Sequence, residues 1–547
     1  MRRLSKITLI FLVAFLGMST TANQSNNGKY FEISKNIEIF TNLYKEINTY
    51  YVDDLDPAKL MRTGVDAMLE SLDPYTNYIS ESEIEGFRYI TEGKYNGIGA
   101  LIKKIGDYIT ITEPYDNCPA QKAGLKAGDI IKEIDGKSAK DKTSDDIMDF
   151  LKGFPGTEVE LTIERPGTPE ELKVKLTRDE VKVPNVPYFS MVSDDIGYIT
   201  LTTFTRDAGK NVGDALKDLK EKNPDLKGII FDLRGNGGGL LTEAVNVSNV
   251  FIPKGETVVS TKGKVVDWDR SFKTVISPID QDIPLAVLID KGSASASEIV
   301  CGVIQDLDRG VLIGQRSYGK GLVQNTRDVG YNSRVKLTTA KYYIPSGRCI
   351  QGVSYKDGEP VNIPDSLRAE FTTRNGRTVL DGGGVKPDMV LKKDSDVSIV
   401  RSLLKENVIF NYVTQYALKH DAIGEIKDFD FTDFDDFVNF LSTNGFNYET
   451  ESEKALNDLL KKAKDENILA DIEPQIKLMQ AQIKKEKDKD LETYKEAIIN
   501  EIEKEIVSRY YYQKGKVQIG LKNDKEIKEA IDVLRDKTKY EKLLSGK

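Results

Sequence analysis

The sequence predicts a multidomain α/β protein, with two strand-containing modules in the middle of the chain and helical regions at both ends. Three observations carry that reading. A chain of 547 residues is too long for one hydrophobic core, so three or four domains are expected. From about residue 90 to Arg178, short alternating strands are separated by glycine-bounded turns, and continuous apolar runs follow, as strands buried on both faces show. Before and after these, apolar residues recur at helical spacing.

The chain begins with a positive segment, Met1-Arg2-Arg3-Leu4-Ser5-Lys6, and an apolar run from Ile7 to Met18. Ser19-Thr20-Thr21-Ala22 then offers small residues for a cut after Ala22, the pattern of an export signal over residues 1–22. The run is short for a membrane-spanning helix, which needs about 20 residues. The alternative is an uncleaved N-terminal anchor, and membrane contact is expected to go no further. No cysteine follows the run, which argues against a lipid-modified N-terminus. Phe40, Leu43, Tyr44 and Ile47, then Val65, Met68, Leu69 and Leu72, fall at i, i+3, i+4, i+7, so residues 23–89 should be helical. Pro74 stops the second helix.

From Asn96 the period changes. Leu101–Lys104, Tyr108–Ile111, Ile130–Ile134 and Val159–Ile163 read as strands, with helices over Ala120–Ala123 and Ser144–Leu151. Asp135-Gly136 is a hairpin turn pair. Pro184 and Pro187 punctuate a linker. Gly228–Leu233 and Leu285–Ile289 are the continuous apolar runs of an α/β core, expected over 179–395. Beyond it, Leu456, Leu459, Leu460 and Ala463, then Ile499, Ile502 and Ile506, mark a helical region over 396–547. That region is expected to be partly extended or to form a homo-oligomer.

Composition excludes several classes. An apolar share of 39% with 25 Tyr and 20 Phe supports globular cores, and a net charge of −9 disfavours a nucleic-acid partner, which needs a basic face. Cys118, Cys301 and Cys349 are too few and too scattered for a disulfide framework or a zinc site. His420 is the single histidine. A Ser-His-Asp or Cys-His mechanism would have to recruit it, so a hydrolase here should use another base.

The strongest chemical signal is Gly292-Ser293-Ala294-Ser295-Ala296-Ser297-Glu298, directly after a buried strand. Small residues permit a sharp turn, and a helix start presents backbone N–H groups where an oxyanion would develop. By itself this pattern is equally a serine-rich helix cap. Its company separates the two. Asp232-Leu233-Arg234-Gly235-Asn236-Gly237-Gly238-Gly239 also follows a buried strand, and Ser317-Tyr318-Gly319-Lys320-Gly321-Leu322-Val323-Gln324 lies downstream. Turns after two strands converge at one edge of an α/β sheet, where such sites are built.

These three stretches, with Tyr342-Tyr343-Ile344-Pro345-Ser346-Gly347-Arg348, resemble the core of the C-terminal processing (tail-specific) serine peptidases, over about residues 40 to 395. The resemblance implies a ClpP/crotonase-like peptidase core, with Ser295 as nucleophile, Lys320 as base and Gln324 as its partner. It implies an oxyanion hole from the N–H of Ala296 and one from the Gly238-Gly239 turn. Some members have an aspartate at the position of Asp306 among their essential residues. Yet eleven residues of helix put Asp306 ~16 Å from Ser295, which favours a structural role. Lys320 and Gln324 share a face in either a strand or a helix. An ordinary lysine titrates at about 10.4, and a base working near pH 7 needs roughly 4.6 kcal/mol of desolvation. A dry pocket near Leu322 and Val323 would supply it.

Residues 90–178 resemble an inserted PDZ domain of the circularly permuted kind. Gly97-Ile98-Gly99-Ala100 matches its carboxylate-binding loop, and Gly124–Gly136 (GLKAGDIIKEIDG) supports the match. Backbone N–H groups of the loop would hold a terminal carboxylate while the next strand pairs with the peptide. Polypeptides with apolar C-termini are the expected partners. Cys349 replaces a serine usual in the family, a packing variant, and the region after 395 matches only some members. No metal or nucleotide is expected, since neither a ligand cluster nor a P-loop occurs. An exported endopeptidase, periplasmic and soluble or N-terminally tethered, is the resulting expectation. Its rivals are a non-catalytic PDZ adaptor and a crotonase-like acyl-CoA enzyme.

Overall fold

The computed structural model describes residues 28–356, 359–391 and 397–546, so the N-terminal export signal expected over residues 1–22 lies outside the described residues. Two compact units meet between Tyr78 and Ile79. In the first, residues 28–50 are helical and α1 (Pro57–Glu70) follows. Asp56 caps α1 by accepting from the N–H groups of Ala58 and Lys59, and Pro57 opens it without an N–H to leave unpaired. The expected apolar faces form, but Phe40, Leu43 and Met68 stay exposed.

The second unit opens into a strand-rich module through a neck, where Lys94–Gly97 pairs antiparallel with Asp179–Lys182. Inside it, β1 (Ala100–Ile105), β2 (Tyr108–Pro114), β3 (Ile130–Ile134), β4 (Glu158–Glu164) and β5 (Leu172–Thr177) form an antiparallel sheet in that order. Asp135 and Gly136 both have positive φ, the geometry of a two-residue hairpin turn. With α2 (Pro119–Lys122) and α3 (Ser144–Leu151), the sheet encloses Ile109, Ile111, Ile131, Ile147, Leu161 and Ile163. The strand β1 lies at the sheet edge.

Beyond the neck lies a six-stranded sheet. Strand β6 (Tyr188–Met191) runs antiparallel to β7 (Ile196–Thr200); β8 (Gly228–Asp232), β9 (Leu285–Ile289) and β10 (Val311–Gly314) continue it in parallel. A long hairpin, β11 (Leu322–Gly330) and β12 (Ser333–Tyr343), comes next in a separate sheet before β13 (Met389–Val390) closes the first. Helices α4 (Ala208–Lys222), α5 (Leu241–Phe251) and α6 (Ala296–Asp306) cover one face, burying Val212, Leu216, Val247, Val300 and Ile304 against Ile199, Phe231 and Val287. Parallel strands with helical crossovers are the arrangement that the continuous apolar runs required.

The helical C-terminal region has its own core, in which α7 (Val408–Lys419) and α8 (Lys495–Lys522) bury Tyr412, Ile498, Ile502 and Ile506 with Phe437. Helix α8 is kinked at Tyr512 (φ 54°, ψ −158°). Its last two helices lie within the helical region expected after residue 395 but pack on the core sheet. Helices α9 (Lys525–Arg535) and α10 (Lys537–Ser545) pack Ile527, Ala530, Val533, Leu534, Tyr540 and Leu543 on Tyr198, Ile230, Leu288 and Ile313. The second face of the core sheet is therefore covered by residues more than a hundred positions downstream. An open sheet apolar on both faces needs both layers, and the sequence offers no local signal of which helix supplies the second. The whole is a multidomain α/β chain.

Candidate active site

Strand β9 ends at Ile289, and Asp290 organises the turn beyond it. Its Oδ1 accepts from the N–H groups of Gly292 (2.9 Å) and Gly235 (2.8 Å), tying together the turns after β9 and β8. Ser293 Oγ donates to Leu233 O at 2.9 Å, a second tie. The chain then bends sharply at Ser295 (φ 57°, ψ −112°). A non-glycine residue in such a region costs about 1–3 kcal/mol and persists only where its surroundings over-determine it. Here the Ser295 N–H is held by Glu298 Oε2 at 2.8 Å, and α6 starts at Ala296.

The facing turn is organised by Asn236. Its Nδ2 donates to Leu201 O (2.7 Å), its Oδ1 accepts from Gly238 N (2.9 Å), and its carbonyl accepts from Ala294 N and Ser297 Oγ. Gly238 has φ +99°, and a Cβ there would stand 2.8 Å from Ser295 Cβ and 2.9 Å from Ala296 N. Only glycine allows this approach. Asn236 occupies the Gly238 N–H, which leaves Gly239 as the open donor of the Gly238-Gly239 pair. Neither its N–H nor that of Ala296 has a hydrogen-bond partner among the described residues.

Lys320 arrives on the segment before β11, held by the same carboxylate as Ser295. Fully buried Glu298 accepts from Ser317 Oγ (2.6 Å), Gly319 N (2.7 Å) and Lys320 N (2.8 Å) besides Ser295 N. Burial pushes its carboxyl above the ordinary range; the bonds from Ser317, Lys320, Ser295 and Gly319 oppose this without cancelling it. Tyr342, 1% exposed, places its phenol 3.1 Å from Ser295 O and within reach of Lys320 O. Gly238, Gly239, Ser295, Ala296, Lys320 and Gln324 all line one cavity of about 500 Å³, with Leu241, Ile299, Leu322 and Val323 as its apolar wall.

Asp306 stands at the far end of α6, where it pairs with Arg348 (2.8 Å) and accepts from Ser346 N (2.9 Å); the structure does not bring it to the cavity. The shared face of Lys320 and Gln324 does not come from strand period. Lys320 precedes the strand that begins at Leu322, and the register of β11 shifts between Val323 and Gln324. The Gln324 amide nitrogen donates to Thr338 Oγ1 at 3.2 Å. His420 stacks on Tyr416 at 4.0 Å, outside the cavity. Among the described residues no group of three His, Cys, Asp or Glu side chains is placed to hold a metal.

Glu298, Tyr342 and Asn236 are the residues that sequence reasoning passed over. Each stood inside a stretch already singled out. Ser295-x-x-Glu298 has the spacing of a capping box, which hints at the bond to Ser295 N but not at the reach to Ser317, Gly319 and Lys320.

In the other module, Gly97–Ala100 leads into edge strand β1. Ile98 O accepts from Ala120 N (2.7 Å) and Gly99 O from Tyr115 N (2.9 Å). Gly99 has φ +76°, and a Cβ there would lie 2.4 Å from Cys118 Cβ. The carbonyls of Ile98 and Gly99 are thus turned inward to the fold.

Comparison with known proteins agrees with this arrangement. Residues 195–357 match the model of peptidase family S41, residues 96–176 that of a PDZ domain, and residues 399–534 one described as "Probable PDZ-protease, C-terminal helical domain". The carboxy-terminal-processing protease of Bartonella bacilliformis is 39% identical over 346 residues, 63% of this chain and 79% of that protein. A protein of Staphylococcus aureus strain COL described as "Probable CtpA-like serine protease" is 35% identical over 62% of this chain and 68% of its own length. The solved photosystem II D1 C-terminal processing protease is 27% identical, with a TM-score of 0.36 over 64% of this chain and 92% of that one. With a pocket-lining serine at a strained helix start and a PDZ module on the same chain, the protein belongs to the carboxy-terminal-processing serine proteases of peptidase family S41.

Proposed function

We propose that this protein is an exported endopeptidase that cuts polypeptides near their C-termini with a Ser295–Lys320 dyad. The observation that carries the reading is the convergence of Ser295, the open N–H groups of Ala296 and Gly239, and Lys320 with Gln324 on one cavity. Neutral Lys320 takes the proton of Ser295 Oγ as that oxygen adds to the scissile carbonyl. The resulting oxyanion faces the two N–H groups. Collapse breaks the C–N bond, the leaving amine takes the proton from Lys320, and water then hydrolyses the acyl-enzyme by the same route. Gln324 orients the lysine amine, and Asp306 is structural.

The Gly97–Ala100 loop receives the substrate's terminal carboxylate on its N–H groups, and the tail adds to the free edge of β1. Buried Ile98 and half-buried Ile102 favour an apolar last residue. Export rests on the pattern of residues 1–22. Among the described residues no helix is long and apolar enough to cross a membrane. Exposed Tyr30, Phe31, Ile37, Phe40 and Leu43 on the first unit give a second copy of the chain an apolar surface to cover.

The test compares residues 23–547 with Ser295→Ala and Lys320→Ala on an unfolded protein ending in an apolar residue. Both variants should lose more than about 10³-fold in kcat, and amidating the substrate tail should raise KM. Undiminished cleavage by Ser295→Ala would refute the dyad.

A further inference from the structure

The turn that carries Gly239 leaves β8 at Asp232, and Arg234 stands between the two. Its guanidinium folds back on the Asp232 carboxylate through Nε (3.0 Å) and Nη2 (2.6 Å), while its own N–H donates to Asp232 Oδ1 at 2.9 Å. Tyr198 Oη holds the other carboxylate oxygen at 2.8 Å. This fixes Arg234 from the strand side only. From the opposite side its Nη1 donates to Asp524 Oδ2 (2.7 Å) and Glu526 Oε2 (2.5 Å), both nearly three hundred residues downstream.

Those two carboxylates are themselves fixed. Asp524 divides its oxygens, since Oδ1 caps α9 through Glu526 N and Ile527 N while Oδ2 takes the arginine. Glu526 is buried, and the apolar face of α9 is seated on the sheet through Ile527, Ala530 and Val533. The arginine's backbone leads directly into the site: the next residue, Gly235, donates to Asp290 Oδ1, which also holds Gly292 at the start of the Ser295 turn. A charge-assisted hydrogen bond fixes both direction and distance more stiffly than a neutral one. A path of such bonds runs from α9 to both turns that border the cavity.

We infer that Asp524 and Glu526 are positioning residues for catalysis, which act through Arg234 to hold the Gly235–Gly239 turn against Ala296. The inference rests on the oxyanion role proposed above for Ala296 and Gly239. On this view the C-terminal helices complete the peptidase site as well as covering its sheet.

The test uses the full chain and three variants, Asp524→Asn, Glu526→Gln and the pair combined. Each is measured for kcat and KM on a peptide with an apolar C-terminus and for its melting transition. A peptide aldehyde, whose adduct with Ser295 bears an oxyanion, is compared with the peptide amide of the same sequence. The combined variant should lose roughly tenfold in kcat, with KM changed by no more than about twofold and aldehyde affinity lowered in step with kcat. Amide binding should not move, and Glu526→Asp, which keeps the charge, should recover part of the loss. A combined variant that melts earlier yet keeps kcat and aldehyde affinity would overturn the inference and leave the two residues as fold contacts. If that variant does not fold, the single variants decide by the same readings. A wild-type enzyme that binds the aldehyde no tighter than the amide would instead sink the oxyanion reading itself.

Discussion

Two places in this molecule bury a glutamate beside a strained, non-glycine residue, and they treat it in opposite ways. At the active site Glu298 accepts four hydrogen bonds, from Ser295, Ser317, Gly319 and Lys320, next to the strained Ser295. At the seam between the PDZ module and the C-terminal helices, Glu113 accepts one, from Gln513 at 2.7 Å, and its Oε1 has no partner. Across the seam, buried Arg509 leaves Nε and Nη1 unpaired, near the strained Tyr512, whose phenol takes a bond from Gln121 at 3.0 Å. A buried polar group without a partner costs about 1–3 kcal/mol. The Glu298 carboxylate is saturated and so holds its four donors in one arrangement, whereas the Glu113 carboxylate is held by one bond, with part of the polar surface around it unsatisfied. Dense bonding around Ser295 and a sparsely bonded seam beside the PDZ module are thus separate properties of one chain.

The comparison breaks most readily at Glu298. Glu298→Gln keeps the shape but presents an amide N–H₂ to donors, so Ser295 and Lys320 should lose their common anchor. Activity should fall about 10²-fold or more, with a lowered melting temperature but retained secondary structure by circular dichroism. Near-normal kcat in that variant would mean the four bonds are merely structural. The wild type carries a pH signature of the same residue. Its carboxyl sits above the ordinary range, chiefly through burial. As pH falls it therefore takes a proton sooner than an exposed glutamate, and that proton displaces a donor. The acid limb of kcat should begin above the ordinary glutamate range and should be missing from the residual activity of Glu298→Gln. Tyr342→Phe removes the phenol that reaches both Ser295 O and Lys320 O. A smaller loss is expected, roughly tenfold in kcat and ~1 kcal/mol in stability by denaturant titration.

How much of this could be read from the sequence depends on the range of the interactions. Strands and turns of the PDZ module were legible because alternation and Asp135-Gly136 are local. Helix α3 spans Ser144–Leu151, as its spacing indicated. The cavity residues were legible because three short stretches each follow a strand or precede one. The anchoring role of Glu298 was not, since three of its four donors lie 19 to 22 residues away, beyond the rest of α6 and β10. Nor was the placement of α9 and α10, whose apolar faces at helical spacing fit any apolar partner; only the folded sheet selects one. The relation of Lys320 to Gln324 could not be read from strand period, because Lys320 precedes the strand and the register of β11 shifts between Val323 and Gln324.

The smallest effect is expected at the seam, and there its sign carries the information. Burial raises the Glu113 carboxyl; Lys516, the Gln513 bond and Arg509 pull it down less strongly, and Glu505 adds to the rise. Over the window between the ordinary glutamate value and the raised one, the folded protein keeps a proton that the unfolded chain has released. Stability from this group therefore declines as pH rises through that window and stays lower above it. Glu113→Gln removes the dependence and keeps an oxygen for Gln513. Below the window the variant should melt with the wild type, and above it the variant should melt higher, by no more than about 2–4 °C. Substrate cleavage by Ser295 should be unchanged, because no bond of the site passes through Glu113. A variant that melts lower at every pH would show that the carboxylate is stably paired when charged, and the seam would then be as saturated as the site.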